Sequence, residues 1–134
     1  MKIPNTFYRV SVKALITNEN NEILLIQEDN GKWDLPGGGL DFGDDFHSAI
    51  KREIKEELGV NVKSISKDPT YIWTEKKPDF YLLFLGYKTE LSSFEFHRSP
   101  ECVDSKFCKK SELSKINLHI NIKKLPEMFN VEDF

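Results

Sequence analysis

Three glutamates, Glu53, Glu56 and Glu57, stand at positions i, i+3 and i+4. On a helix turning about 100° per residue, that spacing gathers their carboxylates within roughly 100° of arc. Like charges four residues apart destabilise a helix by about a few tenths of a kcal/mol, and Arg52, four before Glu56, offsets only part of that. A divalent cation removes the repulsion. Hard cations such as Mg²⁺ take oxygen ligands, keep several waters, and bind through a few carboxylates together with the phosphate oxygens of a substrate. Gly37, Gly38 and Gly39 precede the glutamates and let the backbone pass close to a ligand, offering amides or carbonyls to phosphate or metal. The chemistry this set composes is attack of water on phosphorus: a cation lies against the phosphate charge and a carboxylate removes the proton. Taken singly, acidic helix residues are an ordinary solvated face and Pro-Gly-Gly an ordinary turn. Their joint occurrence is what points to a site.

The elements that must hold these residues follow from hydrophobic period. Ile50, Ile54 and Leu58 recur four apart and predict a helix over about Asp44 to Leu58, with Asp44 or Asp45 at its start and Gly59 just past its end. The glutamates then lie beside the apolar stripe. Upstream, Tyr8 to Thr17 places Val10, Val12, Ala14 and Ile16 on one side and Arg9, Ser11 and Lys13 on the other, the alternation of a half-buried strand. A polar turn at Asn18–Asn21 joins it to the apolar run Ile23–Ile26, which predicts a hairpin. Trp33 to Leu40, with one proline and three glycines, is not regular helix. Beyond the helix, Val60–Ile65 and Pro69–Thr74 read as strands. Phe80–Tyr87 is apolar on both alternations, which predicts a strand covered on both faces and so a layered sandwich. Val103–Cys108 reads as a further strand, Ser111–Lys115 as the start of a helix, and Ile120, Ile122, Leu125 and Phe129 as an amphipathic segment interrupted by Pro126.

The chain is 134 residues, the size of one domain, and we read 1–134 as a single α/β domain. Its 22 acidic against 19 basic residues give a net charge of −3, which argues against a nucleic-acid polymer as partner while allowing a small charged substrate. Met1 to Val10 has no apolar core of a leader, and no run approaches the ~20 residues of a membrane span. A cytoplasmic protein without membrane association is the expectation. Cys102 and Cys108 then read as reduced thiols.

Gly38, five residues, Asp44, seven residues, then Arg52-Glu53-Ile54-Lys55-Glu56-Glu57-Leu58-Gly59-Val60 resembles the signature of Nudix (MutT-like) hydrolases, every fixed position matching except Asp44, where the family has glutamate. The lead-in Trp33-Asp34-Leu35-Pro36-Gly37-Gly38 is similar too. The resemblance implies a Nudix-type α/β/α sandwich with a mixed central sheet. It also implies Mg²⁺- or Mn²⁺-dependent hydrolysis of a pyrophosphate bond in a nucleoside diphosphate linked to another moiety, and a possible homodimer. By the same resemblance Glu53, Glu56, Glu57 and the Gly37 carbonyl form the metal shell, Arg52 orients the glutamates by ion pairing, and Leu35, Gly37 and Gly38 line the substrate; Trp33, adjoining the glycine loop, is a further substrate-lining candidate. The base is either Glu53 or an acid of a later loop, Glu101 or Asp104. Asp44 is one methylene shorter than the family's residue, so either a water bridges its contact or the contact is weakened. The alternative function is a nucleotide-binding or regulatory module of the same fold that has lost catalysis.

His47, His97 and His119 are scattered and receive no zinc assignment. Tyr71, Trp73 and Phe80 read as core, Trp33 as core or base-stacking, and Arg9 as solvated.

Overall fold

The computed structural model describes residues 5–134; Met1 to Pro4, part of the N-terminal stretch considered above, lie outside the described residues. The chain order is β1 (Tyr8–Leu15), β2 (Ile23–Glu28), β3 (Trp33–Asp34), β4 (Gly37–Gly39), α1 (Phe46–Leu58), β5 (Val62–Ile65), β6 (Tyr71–Lys76), β7 (Tyr81–Leu91), β8 (Cys102–Cys108), α2 (Lys110–Leu113) and α3 (Leu125–Met128). A five-stranded sheet runs β4-β1-β7-β5, with β6 on the first half of β7. The β1–β7 pair is parallel and the rest antiparallel, so the sheet is mixed. A second sheet, β3-β2-β8, is antiparallel.

Two cores flank these strands. Val12, Ala14, Leu24 and Ile26 meet the apolar stripe of α1, formed by Ala49, Ile50, Ile54 and Leu58. The opposite alternation, Leu15, Ile23, Leu25 and Phe84, meets Leu113, Ile122, Leu125 and Phe129 of the C-terminal segment. That is the α/β/α sandwich. The centre of β7 is buried on both alternations, as its sequence requires.

Two expectations are corrected. The predicted hairpin of β1 and β2 is reduced to one bridge, Thr17 with Ile23, because both edges of β1 are occupied by β4 and β7 and β2 must join another sheet. The polar side of β1 is not solvated along its length: Ser11 and Lys13 are 7% and 5% exposed, and Lys13 pairs with Asp34 and lies over the Phe84 ring. In the C-terminal amphipathic segment, 3₁₀ turns at Ile120–Ile122 and Val131–Asp133 bracket α3, which has Pro126 in its first turn.

Helix α1 is sharply bounded. Asp45, not Asp44, is its N-cap: its carboxylate accepts from the Ser48 amide at 2.7 Å, while the Asp45 amide donates to Ser48 Oγ at 3.1 Å. Gly59 closes the other end in the left-handed region (φ +68°), where a Cβ would lie 2.6 Å from the His97 carbonyl oxygen. Asp45→Ala is expected to lower stability by about 1 kcal/mol, read as a shift of the urea midpoint with the slope unchanged.

Candidate active site

Because Ala49, Ile50, Ile54 and Leu58 turn inward, Arg52, Glu53, Glu56 and Glu57 emerge along the flank of α1 that faces β4. Gly37 and Gly38 of that strand meet two of them differently. The Gly37 amide donates to Glu57 Oε1 at 2.9 Å. Its φ is +140°, and a Cβ there would fall 2.1 Å from the Val12 carbonyl oxygen. At Gly38 a Cβ would fall 2.6 Å from Glu53 Oε1, so the Glu53 carboxylate lies directly against the glycine backbone. Two side chains of the helix are thus seated on the glycine backbone of β4, which at Gly37 excludes any side chain.

Arg52 gathers the remaining acids. It donates to Glu53 Oε1 and to Asp44 Oδ2, each at 2.9 Å, and lies 3.4 Å from Asp41 and 3.7 Å from Glu56. Asp44 therefore reaches the network through Arg52 directly, with its second tie to the Asp41 amide at 2.9 Å. That amide, and then Arg52, hold the Asp44 carboxyl below the ordinary range. Asp41 is a member that sequence reasoning did not foresee.

Glu57 is the least solvated acid of the set. Burial pushes its pKa up to about 8, against the lesser opposing influence of Lys13 and the Gly37 amide. Burial raises Glu53 as well, with Arg52 pulling the other way. Adjacent carboxylates driven upward by desolvation, one of them held open by a backbone amide, form a donor set that fits a divalent cation. Glu56, 60% exposed at its side chain, completes the row at the rim.

A cleft of about 260 Å³ opens beside Glu57, lined by Ile26, Glu28, Asp29, Ser99, Glu101 and Cys102. The structure thus brings Glu101 to the same cleft as Glu57. Asp104 is not among the lining residues; its carboxylate accepts from the following amide, of Ser105, at 2.8 Å. Trp33 and Leu35 are core residues, 9% and 0% exposed, with Lys106 Nζ 4.5 Å from the Trp33 ring centroid. Neither side chain reaches the cleft; what Leu35 contributes is its carbonyl, which accepts from Lys13 Nζ at 3.2 Å. Cys102 and Cys108 are free and buried, and burial raises the Cys102 thiol to about 11. Glu28, Asp34 and His119 present atoms within 4.8 Å of one another, but the Asp34 carboxylate already has Lys13 Nζ at 3.2 Å. No spacing in the sequence links these three residues.

The Glu57 shift has a thermodynamic consequence. Below about pH 4.5 both folded and unfolded chains carry this proton; between there and about pH 8 the folded chain keeps it while the unfolded chain has lost it. Stability of the metal-free protein therefore falls as pH rises through that window. In EDTA, the Tm of wild type is expected to drop by several degrees more than that of Glu57→Gln between pH 5 and pH 8, measured by circular dichroism.

The model of the NUDIX domain matches residues 7–129. The chain belongs to the NUDIX family. Among curated NUDIX relatives it is 35% identical over 79 residues to the RNA pyrophosphohydrolase of Ruthia magnifica subsp. Calyptogena magnifica, covering 56% of this chain and 44% of that one. To Nudix hydrolase 7 of Arabidopsis thaliana it is 29% identical over 145 residues, covering 93% of this chain and 51% of the relative. The chain thus spans about half the length of these two relatives. The crystal structure of MutT protein from Methanosarcina mazei Go1 superposes with a TM-score of 0.83 at 22% identity, over 98% of this chain and 99% of that one, which shows a common fold. The NUDIX match takes in the whole of the acidic flank, β4 and the cleft.

Proposed function

We propose that this NUDIX domain hydrolyses a pyrophosphate bond in a nucleoside diphosphate linked to another moiety, using Mg²⁺ or Mn²⁺. The observation that carries the reading is the seating of Glu57: a half-buried residue whose desolvated carboxylate is held by the Gly37 amide, next to a second desolvated carboxylate, with Arg52 already engaged by Asp44 and Glu53. Glu53, Glu56, Glu57 and the Gly37 carbonyl would hold the cation. Bound there, it supplies positive charge against the diphosphate oxygens and acidifies a water.

The chain's own groups do the rest. Arg52 fixes Glu53 in one orientation through a charge-assisted bond and ties it to Asp44 at the helix entrance. Glu53 takes the proton of the attacking water as the new P–O bond forms and the bridging P–O bond breaks, the leaving phosphate carrying the electron pair. Glu101, which lines the same cleft as Glu57, is the second candidate for that proton. Gly38 keeps the wall beside Glu53 free of a side chain, so substrate and carboxylate approach along backbone.

The test is product release, followed by mass, from a panel of oxidised nucleoside triphosphates, dinucleoside polyphosphates, nucleotide sugars and ADP-ribose with Mg²⁺. A short 5′-triphosphorylated RNA joins the panel because one relative is named an RNA pyrophosphohydrolase. Wild type is expected to turn over at least one compound and Glu57→Gln none at a comparable rate. A panel left intact while the same compounds bind measurably would replace hydrolysis with the binding-module reading.

A further inference from the structure

The inference rests on the reading just given and concerns residues that the metal shell does not include. Lys13 and Asp34 are 5% and 2% exposed, and their charged atoms meet at 3.2 Å. Exchanging such a buried pair for apolar residues is often neutral or stabilising, so burial of the pair is not explained by fold stability alone. Its location supplies an explanation. Lys13 lies on β1 of the five-stranded sheet, and Asp34 on β3 of the other. Between Asp34 and Gly37 the chain crosses from one sheet to the other, through Leu35 and Pro36 alone.

The crossing is held from within. Lys13 Nζ donates to the Leu35 carbonyl oxygen at 3.2 Å as well as pairing with Asp34. Asp34 Oδ1 accepts from the Leu35 amide at 2.7 Å, and Oδ2 has Asn121 Nδ2 at 3.4 Å. The residue in register with Lys13 on β4 is Gly37 itself, whose amide reaches Glu57. One ammonium therefore grips Asp34 and Leu35, which only Pro36 separates from the amide on which the least solvated carboxylate of the site is seated.

We propose that Lys13, through its pair with Asp34, is a positioning residue: it fixes the Leu35–Pro36 crossing so that the Gly37 amide meets Glu57 and the carboxylate presents its other oxygen to the cation. Residues one step removed from metal ligands commonly change metal affinity about 10–100-fold when replaced.

Lys13→Met alone leaves the Asp34 carboxylate buried without its cation and is expected to be destabilised for that reason. The decisive protein is the paired replacement Lys13→Met with Asp34→Leu, which removes both charges and keeps apolar bulk. Two measurements are made on it: hydrogen exchange at the Gly37 amide, referred to the Leu40 amide that bonds Val10 at the far end of β4, and calorimetric titration with Mn²⁺ alone. The expected result is a folded variant in which Gly37 exchanges at least tenfold faster relative to Leu40 and Mn²⁺ binds about 10–100-fold more weakly. Unchanged Gly37 exchange overturns the proposal, whatever Mn²⁺ does. Faster exchange with wild-type Mn²⁺ affinity overturns it too, since the pair would then fix the loop without serving the ligand. If wild type binds no Mn²⁺, the metal reading of the site falls. The proposal falls with it, whereas a wild type that binds Mn²⁺ beside a paired variant with unchanged Gly37 exchange overturns the proposal and leaves the metal reading standing. Should the paired variant not fold, Asp34→Asn, which keeps an oxygen for the Leu35 amide, is read by the same two measurements.

Discussion

Replacing Glu57 with glutamine is expected to make the metal-free protein more stable at pH 8 and, with Mg²⁺ present, to lower kcat by about 10³-fold. The two effects have one cause. In the metal-free protein the Glu57 carboxylate is desolvated, with a pKa pushed up to about 8, and glutamine removes the charge while its amide oxygen still accepts from the Gly37 N–H. Several kcal/mol of transition-state charge stabilisation come from a metal ion at a phosphoryl centre, and each 1.36 kcal/mol is about tenfold in rate, so loss of an anionic ligand accounts for a fall near 10³. Steady-state kinetics at saturating Mg²⁺ and thermal melts in EDTA measure the two sides. A solvated acidic helix would give neither change. A Glu57→Gln protein with wild-type kcat and an unchanged Tm in EDTA would remove Glu57 from the site.

How far the site was legible before the structure follows from how local each signal is. The helix, its glycine stop and the three glutamates lie within 23 consecutive residues, so period and spacing locate them, and the structure moves the start only from Asp44 to Phe46, with Asp45 as the cap. The exchange of roles between those two aspartates was not legible, because both suit a helix start and only the position of Arg52 decides which one is drawn away. Strand partners were harder. Ile23–Ile26 follows a short turn and is apolar throughout, which reads as a hairpin, yet the free edge it needed is taken by Gly37–Gly39 from beyond Pro36. Lys13 failed for a related reason. Alternation along β1 separates two faces but does not say that the second face is also covered, and what meets Lys13 comes from elsewhere in the chain: Asp34 and Leu35 at the sheet crossing and the Phe84 ring of β7. The meeting of Glu28, Asp29 and Glu101 around Glu57 depends on the packing of β2 and the loop before β8 against the end of α1, of which no single stretch of sequence carries a trace.

On the proposed function, substitutions at the two adjacent glycines are expected to separate folding from catalysis. At Gly37 an alanine Cβ would sit 2.1 Å from the carbonyl oxygen of Val12, a backbone atom in the central sheet, on a residue held at φ +140°. Neither partner is free to move, so Gly37→Ala is expected to cost about 3 kcal/mol or more and to give little folded protein, measured by denaturant titration of whatever is soluble. At Gly38 the obstructing atom is Glu53 Oε1, the end of a flexible side chain, 2.6 Å away. Here the chain folds with a loss below about 1 kcal/mol while the Glu53 carboxylate is displaced from its seat. A displacement of that size at a reacting group costs on the order of 10²-fold in rate, so Gly38→Ala is expected to be a stable, slow enzyme. The opposite ranking, with Gly38→Ala unfolded or Gly37→Ala folded and active, would mean that Glu53 is not seated on the strand as described. Only a side chain that both packs on β4 and takes part in the chemistry makes one methyl group harmless to the fold and costly to the reaction.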